Sequence, residues 1–171
     1  RLALIQGPPG TGKTTVASIL LRISQSLHER ALATAVSNQA GNNLTRRCRA
    51  AGGKVVRLGD NVVIAEQAPD LSDVSSVSLA VRAKGAAFNR TAAKRRREHE
   101  SNFINEASIV CSTLAGCGGA ALAGPQFGRV VIDEAAQAME PLTLIVLNYA
   151  KSNMQDALVG DHMQLPPVVH N

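Results

Sequence analysis

Two groups of residues in this sequence have the types and spacing to handle phosphate, and a third polar group ends another apolar run. The first is Gly7, Pro8, Pro9, Gly10, Thr11, Gly12, Lys13 and Thr14, which fits G-x-x-x-x-G-K-[ST] at every fixed position. Glycines in such a loop let successive backbone N–H groups turn inward toward an anion. Lys13 has the reach for β- and γ-phosphates, and the Thr14 hydroxyl suits Mg²⁺. The second is Asp133 and Glu134, adjacent carboxylates that end the apolar run Val130, Val131, Ile132. In company with a phosphate loop the two have separate tasks. Asp133 holds the Mg²⁺ that bridges the phosphates, and Glu134 orients and deprotonates an attacking water. The third is Asp161 and Gln164, which follow the apolar Ala157, Leu158 and Val159.

For these groups to meet, each must sit at the carboxyl end of a strand in one sheet. The local patterns supply those strands. Leu2 to Ile5 is a short buried-strand run, and Val16, Ile19, Leu20, Ile23 and Leu27 recur at helical spacing after the loop. The start of that helix places its partial positive charge under the phosphates. Ala31 to Val36 reads as a second strand that ends in the amide-rich stretch Ser37 to Leu44. That stretch has two readings: a cap for a helix running through Leu44 and Cys48, or an edge loop touching a phosphate backbone. Arg46, Arg47 and Arg49 add positive charge close by. Lys54 to Gly59 reads as a third strand closed by a turn, and Asn61 to Glu66 as a short further extended piece.

From about Ala65 to Asn105 the strand signals stop, which predicts an inserted, mostly helical segment. Its run Lys94 to Arg97 is either a solvated helix face or a phosphate contact, with Glu98, Glu100 and Glu106 partly balancing the charge. Strand character returns at Ala107 to Cys111 and runs into small, hydroxyl-bearing residues beginning with Ser112 and Thr113. A helix across Met139 to Leu147 follows the carboxylate pair, with Pro141 tolerated in its first turn. The expected architecture is a single α/β domain over residues 1–171, a mostly parallel sheet with helices on both faces.

Composition narrows the partners. Aromatic residues make up 2% of the chain, so the core must be Val, Leu, Ile and Ala, and base stacking is disfavoured as the main grip on a nucleic acid. A net charge of +5 favours an anionic partner. The cysteines Cys48, Cys111 and Cys117 have neither disulfide nor zinc spacing and read as small apolar residues in a reducing compartment. No apolar run approaches a membrane span. Because Arg1 stands directly before the loop's strand, the sequence reads as a fragment of a longer chain.

Together these blocks resemble superfamily 1 helicases, specifically the DEAxQ-type group that contains the nonsense-mediated-decay helicase and senataxin. Gly7 to Thr14 is similar to motif I and Ser37 to Leu44 to motif Ia. Asp133, Glu134, Ala135, Ala136 and Gln137 are similar to motif II, and Gly160 to Pro167 to motif III. The resemblance implies a RecA-like P-loop NTPase fold. It implies the first motor domain of an ATP-dependent RNA or RNA/DNA helicase, using ATP and Mg²⁺ and, in the full-length protein, translocating on single-stranded RNA or DNA. It implies nucleotide contacts from Gly7 through Thr15, with Lys13, Glu134 and the γ-phosphate sensor Gln164 as the catalytic set. Ser37, Asn38, Ser112 and Thr113 are implied to touch the nucleic-acid backbone, and Gln137 to join motifs II and III. A second RecA-like domain carrying an arginine finger is the implied partner, in a monomeric nuclear or cytoplasmic protein without membrane contact. Without that domain, weak ATP binding, slow hydrolysis and no unwinding are expected. The alternative is a P-loop switch or binding module that gates a partner and does not translocate.

Overall fold

A computed structural model describes residues 1–59, 61–75, 98, 100–119, 122, 126–151 and 155–168. Six strands form one sheet: β1 (Leu2–Gln6), β2 (Ala31–Ala35), β3 (Val55–Arg57), β4 (Ile109–Thr113), β5 (Arg129–Asp133) and β6 (Asp156–Gly160). Their order is β1-β6-β5-β2-β4-β3, and every pairing is parallel. Among the described residues the helices are α1 (Lys13–Ser26), α2 (Asn38–Ala50), α3 (Asn61–Gln67), α4 (residues 100–106) and α5 (Glu140–Leu147). Pro141 lies in the first turn of α5, where its missing N–H costs nothing.

Strand alternation builds two apolar layers. On one face Ala31, Ala33, Ile109, Cys111, Val131 and Val159 pack under Ala17 and Leu21 of α1 and Leu44 and Cys48 of α2. On the other, Leu32, Val110, Val130 and Ile132 meet Phe127, Ile104 and Val146. Every residue of β2 is buried, as a central parallel strand covered on both faces must be. All three cysteines are buried and free within these layers. Burial pushes the Cys117 thiol up to about 11, so it stays protonated and inert near neutral pH.

Four expectations change. Leu2 to Ile5 is not a buried strand: β1 lies at the sheet edge, with Leu2 and Leu4 exposed. The stripe Val16, Ile19, Ile23 and Leu27 is not the core face of α1: those side chains are exposed, and Leu20 is half-buried. The buried face is Ala17, Ser18, Leu21 and Ser24. The helix packs over β5 and β6 and beside α2 through this face, with Leu21 as its one large side chain. Leu21→Ala is accordingly expected to cost about 2–5 kcal/mol, whereas Ile19→Ala changes stability by about 0.5 kcal/mol or less. Urea denaturation of the two variants measures both.

Asn61 to Glu66 is helical, not extended. Ile64, Ala68 and Leu71 recur at helical spacing and close a small satellite core with Val74. The β-branched run suggested a strand, but the chain instead returns to β3 through a bridge between Arg57 and Ser75. β4 also extends further than expected, so Ser112 and Thr113 belong to the strand itself. Most of the expected insertion, including Lys84 and Lys94 to Arg97, lies outside the described residues.

Candidate nucleotide site

The sheet order places β1, β6 and β5 side by side, so the three groups selected from the sequence emerge from adjacent strand ends. The pairing of β1 with β6 continues one step beyond the strand, where Gly7 N donates to Gly160 O at 3.2 Å. Gly10 and Gly12 have φ of 76° and 87°, a left-handed backbone that lets the loop close before α1 begins at Lys13. No side chain caps α1, so its first N–H groups are left for an anion. Lys13 Nζ donates to Pro8 O at 2.9 Å and Thr11 Oγ1 to the same oxygen at 2.7 Å, bonds that preform the loop.

These ends line a cavity of about 440 Å³, bounded by the loop from Pro9 to Thr15 and by Asp133, Glu134, Gln137, Asp161 and Gln164. That volume falls in the usual range for a small-molecule site. Asp133 is nearly fully buried, and its Oδ1 accepts the Glu134 N–H at 3.0 Å. Glu134 has φ of 55°, a left-handed kink between β5 and the 3₁₀ turn Ala135–Gln137. A non-glycine residue held there signals a position fixed by its surroundings. Burial, and secondly the neighbouring Asp133 carboxylate, push the Glu134 carboxyl above its ordinary value, while Lys13 pulls it back.

β6 ends against this turn. A Cβ on Gly160 would lie 2.9 Å from Ala136 N, so only glycine allows the approach. Just beyond, Asp161 Oδ2 accepts from Gln164 Nε2 at 2.9 Å and Oδ1 from Met163 N at 3.1 Å. The Gln164 amide, and then the Met163 N–H, hold the Asp161 carboxyl below its usual range. Gln137 lines both this cavity and a smaller apolar one of about 140 Å³ shared with Val36, Leu114, Met139 and Pro166.

Of the sequence-selected residues, Gly10, Gly12, Lys13, Thr14, Thr15, Pro9, Asp133, Glu134 and Gln164 come together on this cavity. Gly7 and Pro8 support the loop from behind through the contacts above. The four nucleic-acid candidates gather elsewhere, at the ends of β2 and β4. Ser37 is the N-cap of α2, accepting from Ala40 N at 3.1 Å, and Asn38 Oδ1 accepts from Arg57 at 3.2 Å. Both are exposed. Thr113 is half-buried and accepts from Gly116 N at 3.1 Å. Ser112 is fully buried, so close under the next turn that a Cβ on Gly116 would come within 2.8 Å of its hydroxyl.

Two arginines carry more than the sequence suggested. Arg57 is fully enclosed beneath the start of α2, bonded to Asn42 Oδ1 at 3.1 Å, to Asn38 and to Leu58 O. Arg47 reaches the nucleotide cavity instead of the amide-rich loop. Neither position has a local sequence signal; both depend on how α2 packs.

Comparison with known proteins agrees with this geometry. The chain is 37% identical over 185 residues to the ATP-dependent helicase NAM7 of Saccharomyces cerevisiae, covering 98% of this chain and 19% of that protein. It is 35% identical over 199 residues to the ATP-dependent helicase upf1 of Schizosaccharomyces pombe, covering 99% and 21%. The chain thus spans about a fifth of the length of these relatives. Among solved structures, the C-terminal domain of the DEAD-box protein Dbp5 superposes with a TM-score of 0.55 at 13% identity, over 94% of this chain and 77% of that one, a likeness of fold. The family model AAA_11, described as an AAA domain, matches residues 1–87 and 78–171.

Proposed function

Because this chain belongs to the AAA_11 family, we propose that it is the ATP-hydrolysing motor domain of an ATP-dependent helicase that acts on single-stranded RNA or DNA. The observation that carries this reading is the convergence of Lys13, Thr14, Asp133, Glu134 and Gln164 on one cavity. Each has a task in phosphoryl transfer to water. Lys13 exchanges its bond to Pro8 O for the β- and γ-phosphates. Burial pushes the Glu134 carboxyl above its ordinary value, which suits a base that must accept a proton. Gln164, at the end of β6, senses the γ-phosphate; its bond to Asp161 supports this by holding the amide in the cavity.

The residues also fit Mg²⁺. A hydroxyl (Thr14) and a carboxylate (Asp133) line the same cavity, the sparse oxygen set that this ion takes when phosphates and water complete its shell. When bound, it supplies charge neutralisation between the phosphates.

The exposed Ser37 and Asn38, with Thr113 on the neighbouring strand, are the proposed backbone contacts; the sealed Ser112 supports them from below. Gln137, shared between the two cavities, is the proposed link from phosphate state to that edge. A second RecA-like domain is the proposed source of an arginine finger; among the described residues the cavity's one arginine, Arg47, enters beside Thr15. The test is ATP turnover by the full-length protein with and without single-stranded RNA. Strong stimulation is expected. Turnover indifferent to RNA and DNA would favour the nucleotide switch instead.

A further inference from the structure

The three arginines of α2 have different fates. Arg46 forks onto Asp70, with Nε and Nη2 each 2.8 Å from a carboxylate oxygen. Arg49 forks onto Asp73 at 3.0 and 2.7 Å. Both charges are thereby matched by the segment that follows α3. Arg47 has no ion pair among the described residues. Its Nη1 donates to Thr15 Oγ1 at 2.9 Å, and the side chain forms part of the nucleotide cavity wall.

That position is informative. Glu134 and Gln164 enter the cavity from β5 and β6, where the terminal phosphate and the attacking water must lie for a base to act. Arg47 enters from α2, across the first turn of α1, and holds the hydroxyl of the residue after Thr14. An unpaired guanidinium there faces the other end of the phosphate chain. Its five donors can leave one neutral hydroxyl for an anion at little cost, and a charge-assisted bond is the stronger of the two.

We propose that Arg47 is a nucleotide-binding residue that contacts the α-phosphate, and so recognises nucleoside di- and triphosphates alike. The inference rests on the nucleotide-site reading above and deepens it. Glu134 and Gln164 act at the γ-phosphate, which ATP has and ADP lacks; Arg47 does not. It also removes Arg47 from the nucleic-acid edge, leaving the amide-rich loop to act without it.

The experiment is equilibrium binding of ADP and of a non-hydrolysable ATP analogue to full-length protein without nucleic acid, for wild type, Arg47→Gln and Arg46→Gln. Arg47 is exposed, and an unchanged melting temperature verifies that its variant folds. Arg47→Gln is expected to weaken both nucleotides by about 10- to 100-fold and by similar factors. The KM for ATP should rise by a similar factor, as for a contact made equally in the ground state and the transition state. Arg46→Gln should bind both nucleotides as wild type does. Wild-type affinity in Arg47→Gln, or a loss confined to RNA binding, would overturn the α-phosphate role while leaving the site intact. Wild-type protein that binds neither nucleotide would overturn the site reading, and this inference with it.

Discussion

Glu134→Gln is expected to lower ATP turnover at saturating nucleotide by about 10²- to 10⁴-fold, the usual contribution of a positioned general base. Nucleotide affinity should stay within a few-fold of wild type. The substitution is chosen because the backbone at this residue is unusual. With φ of 55° between β5 and the turn Ala135–Gln137, residue 134 is held left-handed. Glutamine has the same length and bears the same backbone strain, so the turn that seats Gly160 against Ala136 survives. What disappears is the proton acceptor. Asp133 loses a like charge beside it and keeps the Glu134 N–H bond to its Oδ1, which any residue at 134 supplies. Single-turnover kinetics with and without single-stranded RNA would measure the effect. Turnover that survives the substitution would strip Glu134 of its role and leave water activation to another group. A variant that no longer binds nucleotide would instead mean that the carboxylate shapes the cavity.

The site was legible in the sequence because parallel sheets with helical crossovers put strand ends on one edge. Three apolar runs, each followed by polar or glycine-rich residues, were enough to predict that Lys13, Asp133 and Gln164 meet, though their neighbours in the sheet were not known. What could not be read was side-chain direction around the helices. The apolar stripe of α1 was real as a pattern, but the face that packs on β5, β6 and α2 is the one carrying Ala17, Ser18, Leu21 and Ser24. Asn61 to Glu66 looked extended because the window stopped short of Ala68 and Leu71, which complete a helical spacing. The three arginines of α2 looked alike in sequence; only the packing of α1 against α2, and the presence of Asp70 and Asp73, divides them.

The buried Arg57 gives the largest expected effect on stability. It ends β3, has no carboxylate partner among the described residues, and is fully enclosed. Burial pushes its guanidinium below the ordinary value, though arginine remains charged. The cost of desolvating it is offset by oxygens on three sides: Asn42 and Asn38 of α2 and the Leu58 carbonyl. Gly41 completes the enclosure, since a Cβ there would lie 3.1 Å from Nη2. Arg57→Ala empties that space and leaves the asparagine oxygens without their donors. We expect about 3–5 kcal/mol of destabilisation, from cavity and unmade bonds together. Arg57→Met fills much of the volume and removes only the charge and donors, so it separates the two contributions in urea denaturation. A loss of about 1–3 kcal/mol would show that the bonds outweigh the desolvation. A neutral or more stable Met variant would show that desolvation wins, as it does for some buried charges, and that Arg57 is retained for another reason. The geometry supplies one: Arg57 fixes Asn38, a proposed nucleic-acid contact, from behind. A folded Arg57→Met protein should therefore bind single-stranded RNA more weakly while its ADP affinity is unchanged, because the phosphate loop shares none of Arg57's hydrogen bonds.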